Sequence, residues 1–449
     1  MKLAPGLIIA APGSGSGKTT VTLALLAHLR SRGIAVASAK VGPDFIDPAF
    51  HAQATGRPCH NLDAWAMSPS VLAQVASDVG HNAEVVIVEG VMGLFDGAPD
   101  GTGSAADLAR RTGWPVVLVV DASGMARSVA ALVHGFASFD PRVRCAGVIF
   151  NKLGSASHAS LMEQVMTDQA VPVLGSITRN ARLRLPDRHL GLVQAREHPD
   201  LQAFFGNAAA TVATSVDIDG LLRAATPGYL DAPGSPGSPC SFGPGIPVPP
   251  LGQRIAVADD AAFAFAYPYV LEAWRAAGAS VHPFSPLANE APPSQCDSIY
   301  LPGGYPELHA AKLAAATQFQ DGIRRAARDS QSVYGECGGY MVLGQTLTDA
   351  AGQTHSMSGL LPIHTSFEHP RLSLGYRQLT LAATSPLGPA GSIYRGHEFH
   401  YASQTSTVTD APLFTAANAK GMNLGKSGAC AGSVFGSYMH LMDRRDDIA

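Results

Sequence analysis

The chain lacks three features that would place it in other classes of protein. Its six cysteines form no Cys-x-x-Cys pair, so neither a zinc site nor a disulfide framework is indicated. It has 31 basic against 35 acidic residues and a formal net charge of −4, so no nucleic-acid partner is expected. No apolar run reaches the length of a membrane span. The 449 residues, 46% of them hydrophobic, therefore predict a cytoplasmic protein with two domains, no membrane partner and sizeable cores.

The first half alternates short, nearly continuously apolar runs with helical stretches. This pattern is typical of a doubly wound α/β fold in which parallel strands are buried on both faces. The apolar segment 1–11 is short and runs straight into a glycine-rich loop, so we expect it to form the first strand and not a signal peptide. Predicted strands in this half are 7–10, 35–39, 85–88, 116–120, 146–150 and 171–174, and predicted helices include 20–30 and 160–169.

A segment rich in proline and glycine interrupts this pattern. Residues 226–251 contain runs such as Pro236-Gly237-Ser238-Pro239, which cannot continue a helix or a central strand. We expect an extended interdomain linker there, between domains at 1–225 and 252–449. The α/β pattern then restarts, with predicted strands at 254–258, 298–301 and 332–334 and predicted helices at 268–277 and 319–328.

A phosphate-binding loop is predicted between the first strand and the first helix. Glycines let backbone N–H groups turn toward phosphates, and the N-terminus of the helix adds partial positive charge. Lys18 would reach the terminal phosphates of ATP, and the Thr19 hydroxyl would ligate Mg²⁺. Pro12 stands where the strict motif has its first glycine, and a plain glycine-rich turn is the alternative. The nucleotide-binding residues expected here are Gly13, Gly15, Ser16, Gly17, Lys18, Thr19 and Thr20.

Charged side chains follow the next strands at the edge where ligands bind in such sheets. Lys40 is a further candidate for the phosphates, and Asp44 and Asp47 are candidates for Mg²⁺ or for positioning a substrate. Glu89 comes directly after an apolar run. A carboxylate at that strand end is the expected second metal ligand of a phosphate-loop enzyme. The structural alternatives are turn-forming aspartates and a capping acid at a strand end.

Near the other end of the chain, Cys337 follows an apolar strand and is flanked by glycines. This context resembles a nucleophile elbow, in which the N-terminus of a helix lowers the pKa of the thiol. His440 is our candidate for the paired base, with His397 and His400 as competitors. The backbone N–H groups of Gly304 and Gly338 would form an oxyanion hole, although a lone cysteine is more often a buried small hydrophobe.

Taken together, these segments closely resemble the corrinoid a,c-diamide synthases, a family of two-domain glutamine amidotransferases. The resemblance covers nearly the full length outside the linker, and the matching segments are 10–20, 40–48, 89–97, 185–192, 300–307, 334–340, 395–401 and 437–440. It implies an N-terminal ATP-dependent synthetase domain similar to dethiobiotin synthetase. It also implies a C-terminal class I, flavodoxin-like glutaminase domain in which Cys337 matches the nucleophile and His440 its activating histidine.

The resemblance further implies the reaction and its substrates. ATP would phosphorylate the a and c acetate carboxylates of a corrinoid, and L-glutamine would supply ammonia, with an enclosed route between the domains as our hypothesis. Segments 10–12 and 364–368 are more similar to the branch that uses cobalt-free hydrogenobyrinic acid than to the branch that uses cobyrinic acid. Asn151 is a candidate for the adenine edge, and Asp96, Arg188 and His189 for the corrinoid. A homodimer is a candidate assembly.

Two further hypotheses remain open, and so does one detail of the glutaminase site. A partition-type ATPase usually has a lysine five residues before the loop lysine, where this chain has Gly13, and it has no use for a cysteine domain. A regulatory cysteine domain without glutaminase activity is the third possibility. Class I glutaminases carry an acid two residues after the histidine, but this chain has Met442 there, so the group that orients His440 is not identified.

Overall fold

A computed structural model of the chain describes residues 1–183, 185, 187–188, 191–230, 246–404 and 411–445, with only the backbone described at 187–188 and 191–192. Its described residues divide into two compact units, one containing 1–65 and 72–230, the other 66–71 and those from 246 onward. Each unit has its own sheet. In the described part of the chain, no helix is long and apolar enough to cross a membrane.

The first unit is built on one largely parallel sheet. Its strands are β1 (Lys2–Ala10), β2 (Val36–Val41), β3 (His60–Leu62), β4 (Val85–Glu89), β5 (Val116–Asp121), β6 (Cys145–Leu153), β7 (Val173–Thr178), β8 (Asp187–Arg188), β9 (Gly191–Leu192) and β10 (Thr226–Tyr229). The parallel order is β3-β2-β4-β1-β5-β6-β7, while β8 and β9 form a separate pair. Every residue of β2 and β4 is buried, as the apolar runs predict for strands covered on both faces.

Helices connect the parallel strands of this unit. They are α1 (Lys18–Ser31), α2 (Ile46–Thr55), α3 (Pro69–Gly80), α4 (Ala105–Thr112), α5 (Ser128–Ser138), α6 (Ala156–Met166), α7 (Leu201–Ser215) and α8 (Ile218–Ala224). Because all the connected strands run in one direction, the loops at their carboxyl ends gather at one edge of the sheet. Those loops contain the phosphate-loop candidates and the acidic candidates.

The predicted linker is only partly irregular. Its first residues form β10, which pairs antiparallel with β1 from Lys2 to Gly6. Pro227 is tolerated because β10 is bonded to β1 alone and so does not need a donor on both sides. Val248 and Leu251, near the end of the predicted linker, are buried. Residues 231–245 lie outside the described residues.

The second unit contains three sheets. Its strands are β11 (Arg254–Ala258), β12 (Ser280–Phe284), β13 (Ser298–Leu301), β14 (Ser332–Glu336), β15 (Thr346–Thr348), β16 (Thr354–Ser356), β17 (His364–Ser366), β18 (Ser373–Leu381), β19 (Ile393–His400), β20 (Ser403–Gln404), β21 (Phe414–Asn418), β22 (Asn423–Ser427), β23 (Ala429–Ala431), β24 (Val434–Ser437) and β25 (Met439–Arg444). Its helices are α9 (Pro268–Ala276), α10 (Ala310–Ala315), α11 (Thr317–Arg328) and α12 (Gly338–Leu343).

The arrangement of these sheets determines where Cys337 and His440 lie. One sheet has the order β12-β11-β13-β14-β24-β23, with β23 antiparallel to the rest. The antiparallel sheet β22-β21-β18-β19-β25 and the smaller sheet β16-β15-β17-β20 were not predicted from the sequence. Cys337 lies between β14 and α12, and His440 lies on β25, beside His397 of β19 in the strand register.

Candidate active sites

The predicted phosphate loop lies between β1 and α1 in the first unit. Gly15 and Gly17 have φ angles of 80° and 89°, a left-handed conformation that favours glycine. Lys18 is the first residue of α1 and is only 8% exposed. The Ser16 hydroxyl donates to the Gly13 carbonyl at 2.9 Å and closes the loop on itself. The backbone therefore has the turn, and the helix N-terminus, that a phosphate site requires.

The acidic candidates from two separate segments meet beside this loop. The Thr19 hydroxyl donates to Glu89 Oε1 at 2.6 Å and lies 3.3 Å from Asp47 Oδ2. Lys40 Nζ forms ion pairs with Asp47, with Glu89 at 3.0 Å and with Asp44 at 3.6 Å. The carboxyl ends of β2 and β4 and the start of α2 thus form one charged cluster. Lys40 is 3% exposed and Glu89 is fully buried.

Electrostatics keep Lys40 and Glu89 charged despite their burial, whereas burial and the nearby Asp44 raise the pKa of Asp47 to about 7. Burial opposes the charged form of Lys40, but the carboxylates of Asp47, Glu89 and Asp44 outweigh it and raise the pKa of Lys40. Burial would raise the pKa of Glu89, but Lys40 and His51 together hold it well below its usual range. Burial dominates at Lys18 and lowers the pKa of its ammonium group.

His51 is a member of this cluster that the sequence analysis missed. Its Nε2 lies 2.7 Å from Glu89 Oε2, and its Nδ1 lies 3.6 Å from Cys59 Sγ. Burial opposes charge on the imidazole, but Cys59 and Glu89 outweigh it and raise the pKa of His51 to about 10. A signal was available, because Asp47 and His51 are four residues apart on α2 and so share a face.

Asp44 and Asp47 contribute in different ways. Asp44 Oδ1 accepts the backbone N–H of Ile46 at 2.8 Å, so part of its role is to cap α2. The Thr19 hydroxyl lies within hydrogen-bond distance of both Asp47 Oδ2 and Glu89 Oε1. Hydroxyl and carboxylate oxygens are the ligands that Mg²⁺ prefers, so this donor set fits that ion. In the described residues, no group of three or more His, Cys, Asp or Glu side chains has the geometry of a metal site.

Asn151 contacts the phosphate loop directly. Its Nδ2 donates to the Ser16 carbonyl at 3.0 Å, and its Oδ1 accepts the Lys152 backbone N–H at 2.9 Å. A methyl group added at Gly17 would lie 2.3 Å from Asn151 Nδ2, so the two residues need close approach. Lys152 Nζ in turn donates to the Gly15 carbonyl at 2.6 Å. In this structure, Asn151 supports the loop.

The three candidates for the corrinoid are spread along the chain. Asp96 is exposed, and its Oδ2 accepts the Gly93 backbone N–H at 2.9 Å. The backbone of Arg188 lies in β8, whereas His189 lies outside the described residues. The structure therefore describes the side-chain surroundings of Asp96 alone among these three candidates.

In the second unit, Cys337 occupies a strained turn. Its φ of 46° and ψ of −104° are unusual for a residue with a side chain, and strain of this kind is typical of a nucleophile elbow. Gly339 allows the elbow to form, because a methyl group there would lie 1.9 Å from the Leu301 carbonyl oxygen. The Cys337 backbone N–H donates to the Ser437 carbonyl at 2.8 Å, which ties the elbow to β24.

His440 lies beside the elbow. A methyl group added at Gly303 would lie 3.2 Å from Cys337 Cβ, 3.3 Å from His440 Nε2 and 2.4 Å from His440 Cε1. Cys337 and the Nε2 edge of His440 therefore flank the same small space. The competitor His397 stacks on His440 with ring centroids 4.8 Å apart. His400 instead pairs with Glu398 at 2.9 Å and stacks on Tyr438.

Burial disfavours the charged form of both members of this pair. Burial, together with Glu307, raises the pKa of the Cys337 thiol well above its usual value, although the Gly338 N–H favours the thiolate. The thiol contacts the Phe399 carbonyl oxygen at 3.8 Å. Burial, with His397 and His400 nearby, lowers the pKa of His440 well below 6.5. A neutral imidazole beside a neutral thiol is ready to accept its proton when a substrate arrives.

The oxyanion-hole candidates lie next to each other. A methyl group added at Gly338 would lie 3.1 Å from the backbone nitrogen of Gly304, so the two amides come from neighbouring backbone segments. The Gly338 N–H also lies close enough to Cys337 to lower the pKa of its thiol. An oxyanion formed at Cys337 would have these amides within reach.

Glu336 is the residue that the sequence analysis missed in this unit. It directly precedes Cys337 in β14, is 4% exposed, and has Oε2 at 3.8 Å from His440 Nδ1. An acid inside an otherwise apolar strand was the available signal, since acids are almost never fully buried without partners.

Comparison with known proteins agrees with both halves of this description. Residues 7–193 match a family described as the CobQ/CobB/MinD/ParA nucleotide binding domain, and 254–447 match a CobB/CobQ-like glutamine amidotransferase domain. One solved structure, entitled "Crystal structure of glutamine amidotransferase", has a TM-score of 0.29 at 14% identity and covers 42% of this chain and 90% of its own. The two family matches give the chain a nucleotide-binding domain followed by a glutamine amidotransferase domain.

Relatives of nearly the same length make the family more specific. The hydrogenobyrinate a,c-diamide synthase of Mesorhizobium japonicum is 50% identical over 98% of this chain and 99% of its own length. The protein of the same name from Agrobacterium fabrum is 49% identical over 98% of this chain and 99% of its own. The chain belongs to the family of the hydrogenobyrinate a,c-diamide synthases.

Proposed function

We propose that this protein uses ATP and glutamine to amidate the a and c acetate carboxylates of hydrogenobyrinic acid. The observation that carries this proposal is that one chain, half identical to synthases of that name, contains both a phosphate loop with an acidic cluster and a paired thiol and imidazole. We assign the ATP-dependent half to residues 1–225 and the glutaminase half to 252–449, joined by 226–251.

The ATP-dependent half activates the carboxylate. A carboxylate is a poor electrophile, so one of its oxygens forms a bond to the γ-phosphorus of ATP while the bond to the β-phosphate oxygen breaks and ADP leaves. Ammonia then attacks the carbonyl carbon of the acyl phosphate, and inorganic phosphate departs. Lys18 and the amides of residues 13–20 hold the phosphates, and Lys40 adds positive charge beside them. Asn151 holds the loop in shape and reaches the adenine edge.

Thr19, Asp47 and Glu89 would hold Mg²⁺, with Asp44 at the margin of the site. Bound there, the ion would neutralise charge on the phosphate oxygens during transfer. His51 supports this arrangement because it holds the second oxygen of Glu89 at 2.7 Å, which leaves the first oxygen directed at Thr19. Our candidates for binding the corrinoid substrate are Asp96, Arg188 and His189.

The glutaminase half supplies the nitrogen. His440 takes the proton of Cys337, whose sulfur attacks the side-chain amide carbon of glutamine. The amides of Gly304 and Gly338 stabilise the oxyanion, and His440 returns the proton to the leaving ammonia. Water then hydrolyses the thioester and releases glutamate.

A mass-spectrometric amidation assay tests this function. The purified protein, ATP, Mg²⁺ and glutamine are given hydrogenobyrinic acid and cobyrinic acid in parallel. Formation of the diamide is measured for each acid. We expect the cobalt-free acid to be converted faster. Faster conversion of cobyrinic acid would reassign the substrate. ATP hydrolysis without amidation of either acid would reject the proposal.

A further inference from the structure

A buried carboxylate occupies the side of His440 away from Cys337. Glu336 Oε2 lies 3.8 Å from His440 Nδ1, and both side chains are almost completely buried. The opposite edge of the imidazole, at Nε2, flanks the small space above Gly303 that Cys337 also borders. The imidazole thus lies between a thiol and a carboxylate, an order that defines catalytic triads on unrelated folds.

Glu336 is held firmly in this position. Tyr300 and Tyr334 donate their hydroxyl protons to it at 2.7 and 2.8 Å, one to each carboxylate oxygen. The backbone N–H of Leu441, the residue after the histidine, donates to Oε1 at 3.2 Å. Glu336 therefore fixes the strand that carries His440 as well as facing its ring. Burial raises the pKa of Glu336 to about 7, while these three donors favour the ionised carboxylate and limit that rise.

The separation of 3.8 Å is longer than a hydrogen bond. In structures without substrate, however, catalytic hydrogen bonds are often long and shorten in the productive complex. Other acids near the site have partners of their own. Glu398 accepts from Arg377 at 2.9 Å and contacts His400 at 2.9 Å. At position 442, where class I glutaminases have an acid, this chain has a buried methionine.

We propose that Glu336 is the positioning residue for His440, taking over from the end of β14 the role that an acid two residues after the histidine has in other glutaminases. It keeps the proton of the neutral ring on Nδ1, so that Nε2 is free to accept the proton of Cys337. It then stabilises the imidazolium until that proton passes to the departing ammonia. At a pH above the raised pKa of Glu336, about 7, the carboxylate stays ionised and neither gains nor loses a proton in this cycle. This inference rests on the proposed glutaminase activity.

Glu336→Gln tests this role, because it keeps the shape of the side chain and removes its charge. We expect kcat for glutamine hydrolysis to fall by about 10²- to 10⁴-fold, the usual contribution of general acid–base catalysis, with the upper value matching the loss found when the acid of a triad becomes its amide. The KM for glutamine should stay within about threefold, and ammonia-dependent amidation within about twofold, since neither depends on the imidazolium. Glu336→Asp, which restores a carboxylate, should recover at least tenfold of the lost kcat.

Asp349→Asn is the matched control. Asp349 also pairs with a histidine, His355 at 2.9 Å, but it lies partly exposed in the turn before β16. We expect this variant to hydrolyse glutamine like the wild type. A Glu336→Gln variant that retained kcat within about threefold, or that lost ammonia-dependent amidation to the same extent, would overturn the proposal.

A second measurement needs no variant at Glu336. In the ¹⁵N spectrum of the histidine-labelled full chain, with His440→Gln used only to assign the signal, we expect neutral His440 to carry its proton on Nδ1. A proton on Nε2 would overturn the proposal even if Glu336→Gln failed to fold. Wild-type protein without glutaminase activity but with the Nδ1 tautomer would reject the proposed function and leave the positioning in place.

Discussion

The space above Gly303 gives a prediction whose size follows from the structure. In Gly303→Ala, the new methyl group would lie 2.4 Å from His440 Cε1, where ordinary van der Waals contact begins at 3.4 Å. Either His440 or the Gly303 backbone must therefore move by about 1 Å. Such a displacement of a catalytic group can cost about 10²-fold in rate, which corresponds to about 2.7 kcal/mol of activation free energy.

The assay separates the two nitrogen sources. We expect Gly303→Ala to lower kcat for glutamine hydrolysis by about 10²-fold and to leave ammonia-dependent amidation close to the wild-type rate. Gly421→Ala is the control, because Gly421 has a φ of 76° but nothing within 4 Å of an added methyl group. It costs backbone strain of about 1 kcal/mol without touching the site. Glutamine hydrolysis within about threefold of wild type in Gly303→Ala would refute the placement of His440 beside Cys337.

Three further predictions concern charge and burial. Lys18→Ala should abolish ATP-dependent amidation from either nitrogen source while hydrolysis of glutamine to glutamate continues, and loss of both would contradict the division of labour. His51→Phe leaves a buried oxygen of Glu89 without its partner, so we expect chemical denaturation to show a loss of about 1–3 kcal/mol, against no change for exposed His134→Phe. Burial raises the pKa of Glu336 from 4.5 to about 7, so the stability linked to its protonation is present below about pH 4.5 and is lost as pH rises through 7. Glu336→Gln should therefore lose less Tm than wild type between pH 5 and 8, and parallel curves would show that Glu336 does not titrate in this range.

The motifs of this protein could be predicted from sequence because each depends on neighbouring residues. The phosphate loop needs glycines at particular turns, and the elbow at Cys337 needs small residues beside it. Both motifs can therefore be recognised from residues that are close together in the sequence. The antiparallel sheet containing β18, β19 and β25 could not be predicted in the same way, since β18 and β19 are only partly buried and contain many charged and polar residues.

The partners of the site residues were harder to predict, because they depend on how distant segments pack. Glu336 is next to Cys337 in sequence, yet its role becomes visible only when β25 places His440 Nδ1 against it. His51 likewise meets Glu89 across 38 residues of chain. The strand Thr226–Tyr229 was missed for a related reason, since β10 is bonded to β1 alone and so accepts a proline that a central strand would exclude.

The account's central claim is that Cys337 releases the nitrogen that the ATP-dependent half transfers. Glutamine labelled with ¹⁵N in its side-chain amide tests this most directly, with unlabelled ammonium present and hydrogenobyrinic acid as acceptor. Wild-type protein should place ¹⁵N in the diamide, whereas Cys337→Ala should form the diamide from ammonium alone. Label in the product of Cys337→Ala would contradict the claim.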